Sequence, residues 1–98
     1  MDIGETIKVD ITQFDIDDGV REDEHHCPIS VAIRRTLKPF LVDVSGDVVD
    51  LQYGDGRYEN WTLSEEGRMF VARFDDGLPV APFTLELTYR RHEPWMKN

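Results

Sequence analysis

A single cysteine, Cys27, stands among the 98 residues. It excludes an intrachain disulfide and suits a reducing cytoplasm. No apolar run approaches the ~18 residues that a membrane span needs. The opening MDIGETIKVDI has no basic stretch leading into an apolar one, so no secretory signal is expected there. No linker, repeat or low-complexity tract suggests a second domain. Basic residues are also scarce, eleven against twenty acids, for a net charge of −9. That field repels phosphate backbones and argues against direct nucleic-acid binding. Phosphate loops are missing too: Gly54-Asp55-Gly56 is too short to cradle a phosphate and leads into a strand, so it reads as a turn.

What is present is the composition of a small globular domain, 40% hydrophobic and 32% charged. The periodicity predicts a mostly antiparallel sheet of four to five strands with two main helices on one face, an α+β fold in the order β-α-α-β-β-β-α-β. Thr6–Ile11 alternates as a half-buried strand. Thr12 has the form of a helix cap, with Asp15 in the capping-box position; Phe14 is expected to face inward and Gly19 to supply a left-handed exit. Val20–His26 reads as a polar loop. Cys27-Pro28 opens the next helix, where a proline has no N–H to leave unpaired, and Pro39 ends it. Phe40–Val44, Val48–Tyr53 and Tyr58–Trp61 form a meander. Ser64 caps a second main helix, stopped by Gly77. The last strand is Pro82–Tyr89. Ile7, Val9, Ile11, Ile33, Leu37, Val42, Phe70, Phe74, Phe83, Leu85 and Leu87 are the expected core. Residues 1–91 make one domain, and 92–98 are a polar tail.

Cys27-Pro28-Ile29-Ser30-Val31-Ala32-Ile33-Arg34-Arg35 resembles a Cys-Pro-led helix of small uncharacterised proteins from bacteriophages and actinobacteria. Phe74-Asp75-Asp76-Gly77-Leu78-Pro79-Val80-Ala81-Pro82-Phe83-Thr84-Leu85-Glu86-Leu87 resembles the C-terminal part of the same proteins. The likeness covers scattered positions from Cys27 to Leu87 and leaves out the meander Val48–Trp61. It implies a phage or bacterial origin. That family has no assigned activity, so no site residues carry over.

Three constellations test for chemistry. Cys27 beside His25 and His26 has the elements of a nucleophile, since a helix N-terminus and an imidazolium both favour a thiolate. No third group is evident, and a small buried cysteine at a helix start explains the same residues. These three with a carboxylate or His92 do not have the two separated ligand pairs of a structural zinc site. From Asp15, glycine falls at position 5 and His26 at position 12, so an EF-hand calcium register fails. No catalytic, cofactor-binding or metal residue is assigned, and no cofactor is expected. Arg34, Arg35, Lys38, Arg90 and Arg91 read as helix-end and strand-end residues rather than a nucleic-acid patch.

The informative feature is the placement of charge. Residues 1–26 carry nine acids and two bases. Asp15, Asp17, Asp18, Glu22, Asp23 and Glu24 crowd six carboxylates into ten positions with Arg21 as the lone base. Like charges this close require solvation, so the segment is expected to be exposed. It is the candidate protein-binding surface, together with Trp95, because tryptophan is frequent at interaction hot spots; Trp61 reads as core or sheet-covering. The expected function is a small noncatalytic binding protein whose partner is a protein with a basic surface, with nucleic-acid mimicry or inhibition as one form of it and no membrane role. The alternatives are a structural or accessory homo-oligomer paired through a sheet edge and, last, a small Cys27-dependent enzyme.

Overall fold

The computed structural model describes residues 5–90, so the tail 92–98 with Trp95 and His92, together with Arg91, lies outside the described residues. The element order is β1 (Thr6–Ile11), α1 (Gln13–Asp18), α2 (Pro28–Leu37), β2 (Leu41–Ser45), β3 (Val48–Gln52), β4 (Tyr58–Leu63), α3 (Glu65–Asp75) and β5 (Phe83–Tyr89). This is the α+β order expected from periodicity. The five strands form one antiparallel sheet in the spatial order β1-β5-β4-β3-β2.

Register places the apolar set on one face. Val9 lies opposite Leu85, Leu63 opposite Leu87, Val49 opposite Trp61 and Val42 opposite Leu51. These residues pack with Ile29, Ala32 and Ile33 of α2 and Phe70 of α3 into one core. Both main helices therefore cover the same face. The other face carries Lys8, Asp10, Asp43, Asp50, Asn60, Thr84 and Glu86. Within the expected core, Ile7, Leu37, Phe74 and Phe83 are half-buried and line its margin. Trp61 is buried and meets Tyr89 edge-on, with ring centroids 5.1 Å apart. Leu63, just before the Ser64 cap, is the last residue of β4 and is buried in the core.

The caps explain the helix bounds. Thr12 Oγ1 accepts the Asp15 N–H, and Asp15 Oδ2 accepts the Thr12 N–H at 2.8 Å, the reciprocal capping box. Ser64 Oγ accepts the Gly67 N–H at 3.1 Å. α2 has Pro28 in its first turn and ends at Lys38, whose φ of 56° is left-handed; the following proline disfavours a right-handed helical residue at that position.

Two local expectations are corrected. Phe14 does not face inward but is 64% exposed. In so short a helix one side alone meets the protein, and Asp15 and Ile16 occupy it. Gly19 is not a left-handed exit, because its φ is −77°. A Cβ there would lie 2.6 Å from the Pro28 ring, so glycine lets the start of α2 approach the end of α1.

Candidate functional site

The structure divides the acidic segment between α1, which carries Asp15, Asp17 and Asp18, and a strap joining α1 to α2, which carries Glu22, Asp23 and Glu24. Asp15 is a correction to the expected exposure: it is fully buried. Arg35 on α2 holds its carboxylate through Nη2–Oδ2 at 2.6 Å and Nε–Oδ1 at 3.2 Å. Burial pushes the Asp15 pKa up, but hydrogen bonds from Arg35 and Thr12 outweigh it and hold the carboxyl below the usual range. Asp15 is therefore a structural anion and inaccessible to a partner.

Asp23 is half-buried and also builds structure. Its Oδ1 accepts the His25 N–H at 3.0 Å and lies 3.1 Å from His26 Nδ1. The His25 N–H, with His26 next, lowers its pKa. Asp17, Asp18, Glu22 and Glu24 are exposed. Trp95 lies outside the described residues.

Two further acids join this group. The Glu22 N–H donates to Asp75 Oδ1 at 2.8 Å, and Arg21 lies over Gly77, where an added Cβ would meet its guanidinium at 2.5 Å. These contacts bring the end of α3, with Asp75 and Asp76, against the strap and the end of α1. Glu22, Asp23, Glu24 and Asp75 share a pocket of about 250 Å³ with Cys27, Val44 and Val71. From sequence, Asp75-Asp76-Gly77 reads only as a helix stop. The signal that could have found it is electrostatic: Asp17 and Asp18 end α1, and Asp75 ends α3, where the helix dipole disfavours negative charge.

The cysteine constellation does not assemble. Cys27 is buried, with Sγ 3.5 Å from Ser30 Oγ. The His25 ring turns to the Val42 carbonyl, with Nδ1 2.9 Å from it, and the His26 ring turns to Asp23. The fold instead gathers Glu24, His25 and Asp43, whose ligand atoms lie within 4.8 Å of one another. Asp43 was legible only as an outward strand residue, because its meeting with the strap is a tertiary event.

The strap also covers the free edge of β2. The Val44 N–H donates to the Glu24 carbonyl at 3.0 Å, and the His25 ring takes the Val42 carbonyl. At the opposite edge, Arg35 Nη2 donates to the Asp10 carbonyl at 3.1 Å. Elsewhere, Met69, Phe70, Pro82 and Phe83 line an open groove of about 760 Å³ between α3 and the start of β5.

Comparison with protein-family models, curated proteins and solved structures returns no match. Among the described residues no helix is long and apolar enough to cross a membrane.

Proposed function

We propose that the chain is a small noncatalytic binding protein of phage or bacterial origin that presents an acidic surface to a basic protein. The observation that supports this reading is that Glu22 and Glu24 of the strap meet Asp75 at the end of α3, with the exposed Asp17, Asp18 and Asp76 adjoining them in sequence. Some of these charges sit at helix C-termini, where they oppose the dipole. Charge added for solubility alone has cheaper positions on the surface. A one-signed patch speeds encounter with a cationic surface and rejects anionic ones. The partner's cationic groove would be one shaped for nucleic acid.

A homo-oligomer paired through the β2 edge is less well supported, because the strap occupies the hydrogen-bonding groups of Val42 and Val44. A cysteine nucleophile lacks an imidazole partner among the described residues.

The test is capture of basic proteins from a bacterial lysate at low and moderate salt. The variant is Asp17→Asn, Asp18→Asn, Glu22→Gln and Asp76→Asn combined, which spares Asp15 and Asp23 because both build structure. A folded variant is expected to lose salt-sensitive capture. Unchanged capture, with unchanged salt dependence, would leave the charge a role in solubility alone.

A further inference from the structure

We propose that Glu24, His25 and Asp43 form a binding site for one divalent transition-metal cation of the zinc class, at the β2 edge where the strap crosses the sheet. Their ligand atoms already lie within 4.8 Å of one another. Glu24 is exposed, so its side chain can turn inward as the three ligands close to the ~2.0–2.2 Å bonds that zinc makes with imidazole and carboxylate.

Asp43 supplies the second observation. Its Oδ1 is shut off from solvent and accepts no hydrogen bond among the described residues. An unpaired buried carboxylate oxygen is costly, and a cation removes that cost. Asp43 also stands directly across from Asp50 on β3, and like charges in that position repel. Asn60 Nδ2 donates to Asp50 Oδ1, so Asp50 has a partner of its own, whereas Asp43 Oδ1 has none among the described residues.

His25 is set as a ligand. A carbonyl only accepts, so the contact between His25 Nδ1 and the Val42 carbonyl at 2.9 Å places the proton on Nδ1. Nε2 of the neutral ring is left with a free lone pair. Metal-bound histidines are oriented in the same way, through the other ring nitrogen. The backbone beneath is pinned. Ser30 Oγ donates to the Glu24 carbonyl at 2.8 Å, and Arg34 Nη1 to the His25 carbonyl at 2.5 Å. Arg34, the cation that reaches this segment from α2, is thus engaged with a carbonyl. One imidazole nitrogen with two carboxylates suits zinc and its neighbours better than calcium or magnesium. Water would complete the coordination.

The experiment is titration of the full chain with Zn²⁺, and with Mg²⁺ as comparator, followed by calorimetry and by the visible absorption of Co²⁺ in its place. The expected result is one saturable equivalent of Zn²⁺, and a Co²⁺ band that Zn²⁺ abolishes and Mg²⁺ does not. His25→Gln and Asp43→Asn should each weaken Zn²⁺ binding by roughly tenfold or more, and His26→Gln should leave it unchanged. Should Asp43→Asn fail to fold, Glu24→Gln removes a ligand at an exposed position and is expected to weaken binding in the same way. Absence of saturable binding, binding as tight in the His25 and Glu24 variants as in the parent chain, or loss confined to the His26 variant would overturn the site.

Discussion

Arg35 on α2 grips Asp15 on α1 with two nitrogens, at 2.6 and 3.2 Å, across twenty positions of sequence. The carboxylate is fully buried, while the guanidinium side chain keeps 43% of its surface. Asp15→Ala removes the anion and orphans the Thr12 N–H, and is expected to cost about 1–3 kcal/mol. Urea unfolding at neutral pH measures it.

The same pair sets an acid limb. The Asp15 pKa is lowered in the folded chain, so its contribution to stability is present above the unfolded value of about 3.9 and is lost as pH falls below it. Asp15→Asn should flatten that limb. Arg35→Ala should flatten it too, because the Arg35 hydrogen bond is the largest of the contacts that lower the Asp15 pKa. Unfolding free energies at pH 3 to 7 test this, and an unchanged slope in both variants would refute it.

Two phenylalanines of α3 divide the packing unequally. Phe70 is 6% exposed and meets Phe83 at 5.0 Å, while Phe74 is half-buried and stacks on Phe70 at 6.3 Å. Phe70→Ala is expected to cost about 3–5 kcal/mol. Phe74→Ala should cost clearly less, because part of its surface is already in water. Thermal or urea denaturation of the two variants ranks them, and the reverse order would contradict the helix register.

Gly19 is fixed by space rather than by backbone angle. Gly19→Ala drives a methyl into the Pro28 ring, with distances of 2.6 to 2.7 Å to ring atoms that include the backbone nitrogen. A loss of about 1–3 kcal/mol in urea unfolding is expected. A neutral or stabilising effect would show that the α1–α2 junction yields.

Cys27 should behave as a buried side chain. Its native thiol is expected to resist alkylation until the chain unfolds. Cys27→Ser should lower stability by about 1 kcal/mol and leave partner capture intact. Rapid labelling of the folded protein would revive the nucleophile.

The elements were legible because their signals are local. Phe83, Leu85 and Leu87 alternate, Pro28 opens a helix, and Thr12 with Asp15 forms a capping box within four residues. Sequence and structure part where a distant partner decides the outcome. Asp15 reads as one more surface acid until Arg35 arrives from the next helix. Phe14 looks like a core residue until Asp15 and Ile16 take the inward side. The acidic surface was half visible: Asp17, Asp18, Glu22 and Glu24 share one stretch, whereas Asp75 joins through a hydrogen bond to Glu22 from 53 residues away. The meeting of Asp43 with His25 left no mark in either local pattern.

The strand order carries a consequence for how the molecule is made. β5, the last of the five strands in sequence, is not at an edge but between β1 and β4. Until Phe83–Tyr89 has left the ribosome, β1 has no neighbour and Val9 and Ile11 have nothing opposite them. Pairing between residues so far apart in sequence slows folding, and a partly made chain holds its apolar strand unpaired in the meantime. Folding is therefore expected to follow synthesis of the whole sheet rather than accompany it, and a chain truncated before Phe83 should collapse altogether rather than lose one strand.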